Sequence, residues 1–244
     1  MRLSIPTLPI ALLSLALCLN AAAAQPQPRV LVFSKTAGFR HDSIPTAVAA
    51  LQRLGAQEGM KVDHSEDPAD FNEKNLKRYR AVVFASTTGD VLDAAQQKAM
   101  EGFVRAGGGY VGVHAAADTE YDWPWYALLE GAYFKSHPPG LQTTKVVFEH
   151  DGVATGTAWT VTDEIYNYRS NPRNAVQVTA TVDERDYKGG TMGADHPIAW
   201  CHSYDGGRAW YTGLGHEATL YADPQFEAQL RRGLRYATRE SEDC

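Results

Sequence analysis

The sequence predicts an α/β fold, a parallel β-sheet with helices on both faces and extra β-strands in the C-terminal half. Three observations predict it. Residues 29–34 and 80–85 are short, continuous apolar runs, as expected of strands buried on both faces. The stretches between such runs space their apolar residues as helices do. In the second half, β-rich segments follow one another with few helices between them. Alternating strands and helices imply a parallel sheet covered on both sides.

Taken in order, 29–34 is the first strand. A helix over 43–58 follows, with Ile44, Val48, Leu51 and Leu54 at helical spacing and Ser43 and Pro45 suited to its first turn. Residues 61–64 form a short second strand, and 80–85 the third. Asp93 caps a helix over 93–105 that Gly107 ends. Residues 110–113 are the fourth strand, with a helix over about 124–129. Segments 142–148, 175–182, 198–204 and 209–212 read as additional strands with an antiparallel excursion, and 225–236 as a final helix packed on the core. No repeat, low-complexity tract or linker interrupts the chain after Pro28, so 25–244 reads as one domain.

The first 24 residues read as a secretory signal peptide. Met1-Arg2 is a basic start, Ile10 to Leu19 is apolar, and four alanines precede Gln25. The apolar run is short for a membrane span, so a soluble, periplasmic or secreted protein is expected. Losing Arg2 moves the formal charge from -6 to -7, and a mildly acidic surface argues against nucleic acid. Cys201 and Cys244 survive processing. Export permits a disulfide between them, although spacing alone leaves two free thiols open.

The carboxyl ends of strands are where open α/β sheets bind ligands. Gly107-Gly108-Gly109-Tyr110-Val111-Gly112-Val113 leads straight to His114, the spot where such folds present a nucleophile. His114 is an acid/base, metal-ligand or hydrogen-bonding candidate, with Asp118 one turn later. Arg40 and His41 leave the first strand in the loop after Gly38. His137 lies in a loop stiffened by Pro138 and Pro139. Trp159, Glu164 and Tyr166 lie in a stretch that mixes carboxylates with aromatic rings, which suits either a sugar site or an ordinary packed turn. Asp163 is the other carboxylate there. His216 and Glu217 follow the strand at 209–212. Together, His41, His114, His137, Glu164 and His216 could hold zinc or another divalent ion. Neither HExxH nor CxxC spacing is present, so the metal reading ranks below acid/base chemistry. Ser34, Ser43 and Ser136 lack a nucleophile-elbow context, and the glycine run lacks the helix of a nucleotide loop.

Five motifs in order resemble the ThuA-like (trehalose utilisation) family, from about Arg29 to Arg239. They are Gly38-Phe39-Arg40-His41-x-Ser43-Ile44, Gly107-Gly108-Gly109-x-x-Gly112-x-His114, Tyr133-Phe134-x-x-His137-Pro138, Asp163-Glu164-x-Tyr166 and Gly215-His216-Glu217. The resemblance implies a flavodoxin-like sheet related to class I glutamine amidotransferases. His114 then occupies the place of the amidotransferase cysteine, and His216-Glu217 is similar to its terminal histidine and glutamate. Without the thiol, glutamine hydrolysis through a thioester is excluded. The resemblance also implies sugar utilisation.

The expected function is therefore acid/base chemistry on a disaccharide or keto-sugar derivative. His114, His216, Glu164 and Glu217 would be catalytic. Arg40, His41, Asp118, His137, Trp159 and Tyr166 would hold substrate. Isomerisation or β-elimination beside a carbonyl suits such a set, since neither needs a covalent nucleophile. A non-catalytic sugar-binding module and a metal-dependent hydrolase are the alternatives.

Overall fold

Apolar strands need a neighbour on each edge and cover on each face, and the sheet supplies both. The computed structural model describes residues 1, 27–150 and 153–244, so the signal peptide read at 1–24 lies, but for Met1, outside the described residues. The elements run β1 (Arg29–Phe33), α1 (Ile44–Gln57), β2 (Lys61–Ser65), α2 (Glu73–Leu76), β3 (Ala81–Ala85), α3 (Ala94–Arg105), β4 (Gly109–Val113) and α4 (Pro124–Glu130). They continue with β5 (Phe134–Ser136), β6 (Gln142–His150), β7 (Val153–Asp163), β8 (Asn167–Tyr168), β9 (Gln177–Val182), β10 (Pro197–Tyr204), β11 (Gly207–Thr212) and α5 (Pro224–Ala237).

Among the described residues, nine strands form one mixed sheet in the order β2-β1-β3-β4-β11-β10-β9-β6-β7. The first five are parallel, and β11, although last in sequence, lies beside β4 in register Arg208↔Gly109 to Thr212↔Val113. This is the 2-1-3-4-5 order of flavodoxin-like sheets. The remaining four are antiparallel to their neighbours. β5 and β8 pair separately.

Side chains alternate faces along a strand, and β4 shows which helix covers which face. A Cβ on Gly109 would lie 2.0 Å from the Ala237 carbonyl of α5, whereas one on Gly112 would lie 2.6 Å from Glu130 of α4. Positions 109 and 112 point to opposite faces, so α5 and α4 cover opposite sides. The core between them is aromatic, with Tyr110, Tyr126, Trp200, Trp210, Tyr211 and Phe226 all at or near zero exposure.

Two local expectations need correction. Trp159 to Asp163, which suits a sugar site or a packed turn by composition, is instead the end of the eleven-residue strand β7. Ser43 precedes α1 but makes no cap bond to it. Its hydroxyl instead donates to the Gly215 carbonyl at 3.0 Å, which ties the start of α1 to the loop after β11. Asp93 does cap α3, in a reciprocal box with Gln96. Cys201 of β10 is joined to Cys244 by a disulfide, their Cα atoms 6.2 Å apart.

Candidate functional site

The carboxyl ends of β1, β4 and β11 face one another across a small space, and each delivers a histidine. His41 comes from the loop after β1, His114 directly follows β4, and His216 follows β11. The fourth member, Glu164, follows β7. One donor atom from each of His41, His114, Glu164 and His216 lies within 4.8 Å of the others. The imidazoles stand edge to face: His41 is 4.8 Å from His114 and 5.2 Å from His216 between ring centroids.

Backbone strain sets His114. Its φ is +51°, a left-handed conformation uncommon for residues other than glycine. That conformation turns the chain from β4 into the short 3-10 helix His114–Asp118. Tyr211 steadies it by donating its hydroxyl to the His114 carbonyl at 3.0 Å. On the ring, Nδ1–H donates to the Gly213 carbonyl at 2.8 Å. That bond fixes the tautomer and leaves the Nε2 lone pair facing the cluster. Tyr166 stacks over the same ring at 4.3 Å.

Asp163 positions the third loop. It is fully buried, and its two oxygens accept the backbone N–H of Gly215 (2.7 Å) and of Glu217 (2.9 Å). Gly215 has φ +125°, and a Cβ there would lie 2.6 Å from the Tyr221 hydroxyl, so this turn requires glycine. Tyr221 and Ser43 both donate to the Gly215 carbonyl.

Glu164 is the electrostatic hub. Its oxygens lie 3.5 Å from His114 Nε2, 3.3 Å from His216 Nδ1 and 3.2 Å from His137 Nδ1. Burial alone would raise its pKa, but His114 and His216 outweigh burial and hold it well below the usual carboxylate range. Contact with Glu164 raises His216. His41 moves the other way, down to about 3, through burial and then the nearby charges of His114 and His216.

Exposure divides the cluster. His114 and His41 are buried, at 0% and 5% exposed. The side chains of His216 and His137 are 26% and 38% exposed. Asp118, partly buried, accepts the Tyr121 hydroxyl at 2.5 Å, and burial raises its pKa against the pull of that bond.

Three expected site residues take other places. Arg40 is half exposed and ion-paired with Glu66 at 2.7 Å, outside the cluster. Trp159 is buried in the core and donates its indole N–H to Asp223 at 3.3 Å. Glu217 bonds to Asp163 through its backbone N–H, and its carboxylate acts on His216 only as a nearby charge. Sequence reasoning passed over Asp163 in favour of Glu164. The signal for it was the adjacent Asp163-Glu164 pair, one of which turns inward to hold the loop. Tyr211 and Tyr221 carried no signal beyond core composition.

A cavity of about 890 Å3 lies between α2 and α3, at the amino ends of β3 and β4. No histidine or cysteine lines it. Volume and chemistry thus point to different ends of the molecule. The histidine cluster is the better candidate, because its buried donor atoms converge and the cavity's do not.

A flavodoxin-type α/β protein with an imidazole–carboxylate cluster at its strand ends, one histidine directly after its fourth strand, is the class that fold and site define. The chain belongs to the ThuA family, described as trehalose utilisation, whose profile matches residues 29–237. Two solved ThuA-like proteins share the fold, each with a TM-score of 0.70. The one from Bacteroides uniformis is 21% identical, covering 89% of this chain and 94% of that one. The one from Parabacteroides merdae is 20% identical, covering 88% and 91%. A β-galactosidase from Rahnella sp. R3 is similar over 87% of this chain but only 31% of its own, at 16% identity and a TM-score of 0.55. No curated protein matches the chain significantly.

Proposed function

We propose that the protein is an exported enzyme acting on a disaccharide or keto-sugar derivative, by acid/base chemistry at a carbon beside a carbonyl. The observation that carries this reading is Glu164 held between two partly exposed imidazoles, His137 and His216, with no serine or cysteine nucleophile in the cluster. The family's description as trehalose utilisation supports a sugar as substrate.

Access assigns the roles. A sugar cannot reach His114 or His41 through the residues that bury them. It meets His216, His137, Asp118 and the edge of Glu164. One of these groups takes the proton beside the carbonyl while another protonates the carbonyl oxygen. The resulting enediol is then reprotonated to an isomer or expels a β-substituent. Neither route needs a covalent intermediate. The disulfide and the 1–24 segment support export.

A screen of native and oxidised (keto) disaccharides tests the proposal by product analysis. Wild type should turn over at least one of them, with kcat lowered about 10²-fold or more in His137→Ala and in His216→Ala. No turnover, or turnover untouched by both substitutions, would sink it. Saturable binding without product would favour a sugar-binding module instead.

A further inference from the structure

We infer that His41, His114, His216 and Glu164 form a binding site for one divalent transition-metal ion of the zinc class. Buried polar atoms are almost always hydrogen-bonded, yet His41 Nδ1 is buried without a partner, and His114 Nε2 and His216 Nδ1 have only loose contacts with Glu164, at 3.5 and 3.3 Å, that fall short of hydrogen-bond geometry. All three belong to one cluster, and with a Glu164 oxygen they are the four donor atoms that lie within 4.8 Å of one another. Glu164 alone cannot satisfy three imidazole nitrogens at these distances, whereas a cation at the common point satisfies all four atoms at once.

The surroundings fit an ion. Metal-bound imidazoles usually donate their other ring N–H to a carbonyl or carboxylate, which fixes the tautomer and the ring orientation. His114 does this, with Nδ1–H on the Gly213 carbonyl and Nε2 turned inward. An ion at about 2.0–2.1 Å from each nitrogen places tetrahedral donors about 3.3–3.4 Å apart. The spacing here is looser, and small side-chain rotations close it. Burial points the same way. A fully buried imidazole such as His114 is beyond the reach of a sugar, but an ion bridges it to the exposed side of the cluster.

The donor set selects the ion. Three neutral imidazoles and one carboxylate suit zinc and its first-row neighbours, whereas magnesium and calcium prefer all-oxygen sites. One carboxylate leaves the pair with net positive charge. The open side, beside His216 and His137, leaves room for a sugar oxygen or a water. His216 then serves as a ligand, and proton transfer falls to His137 and Asp118. The metal site does not depend on the substrate being a sugar.

The test uses the full chain, expressed without a polyhistidine tag. Metal content is measured after purification without chelator. Stripped protein is then titrated with Zn2+ by calorimetry and with Co2+ by visible absorption. One equivalent of Zn2+ should bind, and Co2+ should give the intense d–d bands of a four- or five-coordinate site. Glu164→Gln and His41→Ala should each weaken Zn2+ binding by more than the roughly 10–100-fold that loss of an outer-sphere partner costs. Arg40→Ala should bind as wild type. Circular dichroism melts establish that each variant is folded, and Zn2+ should raise the midpoint of wild type but not of the ligand variants. Absence of stoichiometric Zn2+ and Co2+ binding, preference for Mg2+ or Ca2+, or wild-type binding by folded Glu164→Gln and His41→Ala would overturn the inference. One equivalent bound without sugar turnover supports the metal site and removes the substrate reading. Full turnover by stripped protein that binds no Zn2+ does the reverse.

Discussion

Glu130 shows how one residue can set the protein's response to pH. Its carboxyl is fully buried beneath β4, in the space that Gly112 leaves for it, with the Tyr110 hydroxyl nearby but no well-formed hydrogen bond to either oxygen. Burial pushes its pKa from the ordinary 4.5 up to about 8. The unfolded chain therefore releases this proton first. The associated stability is full below about 4.5 and falls as pH rises toward 8, by up to about 1.4 kcal/mol per pH unit. Glu130→Gln should remove that slope. Urea unfolding of both proteins between about pH 5 and pH 8 checks it, since other titrations cancel in the difference. Equal slopes would show that Glu130 is ionised in the folded state. At this scale the sequence was partly legible. His41, His114 and His216 stood out because each follows an apolar strand, and position relative to a strand can be read locally. Arg40 and Trp159 were misplaced because their partners, Glu66 and Asp223, lie 26 and 64 residues away. Residue chemistry does not encode a pairing that distant.

Among the elements, β7 matters most and was the least visible. Its threonines, small residues and single tryptophan carry no continuous apolar run, so the stretch from Trp159 suits a sugar site or a packed turn and shows no strand. As a strand it ends on Asp163, which holds the loop that carries His216. The buried strands β1, β3 and β4 were legible for the opposite reason, since burial on both faces demands apolar side chains throughout. The placement of β11 beside β4 needed long-range pairing that no local pattern reveals, although its apolar run marked it as a strand. Asp163→Asn isolates the link from β7 to the site. The amide keeps one acceptor oxygen and sets an NH2 against a backbone N–H. Loss of one buried bond should cost about 1–3 kcal/mol, and the His216 loop should loosen before the sheet does. Hydrogen exchange at Gly215 and Glu217 reports the first effect and thermal unfolding the second. Unchanged protection at both amides would mean that the loop is held by Ser43 and Tyr221 alone.

For the whole molecule, the disulfide joins the tail to the antiparallel half of the sheet, and Arg208 adds an ion pair to Glu242 near the same end. Closing a loop of 43 residues in the unfolded chain stabilises the folded state by about 2–4 kcal/mol. Cys244→Ser or treatment with reductant should lower the unfolding midpoint accordingly. Protein recovered from the exported fraction should begin at Gln25 and carry no free thiol, as intact mass with and without alkylation would show. Free thiols in that fraction would contradict the disulfide, an uncut amino terminus would contradict cleavage after Ala24, and recovery of the protein only from the cytoplasmic fraction would contradict the proposed export. Among the described residues, no helix is long and apolar enough to cross a membrane.

The left-handed backbone at His114 has a consequence for how such a protein can change. The bend belongs to β4, the 3-10 turn and the Tyr211 hydroxyl, all of which grip main-chain atoms. Little in that grip depends on which side chain occupies the position. The fold therefore provides a socket whose occupant can be exchanged. Imidazole there presents a hydrogen-bonding or metal-ligating nitrogen to the cluster, whereas another side chain would present different chemistry from the same bend. Architecture and reactivity are separable at this point, so a new activity can arise by substitution without a new fold.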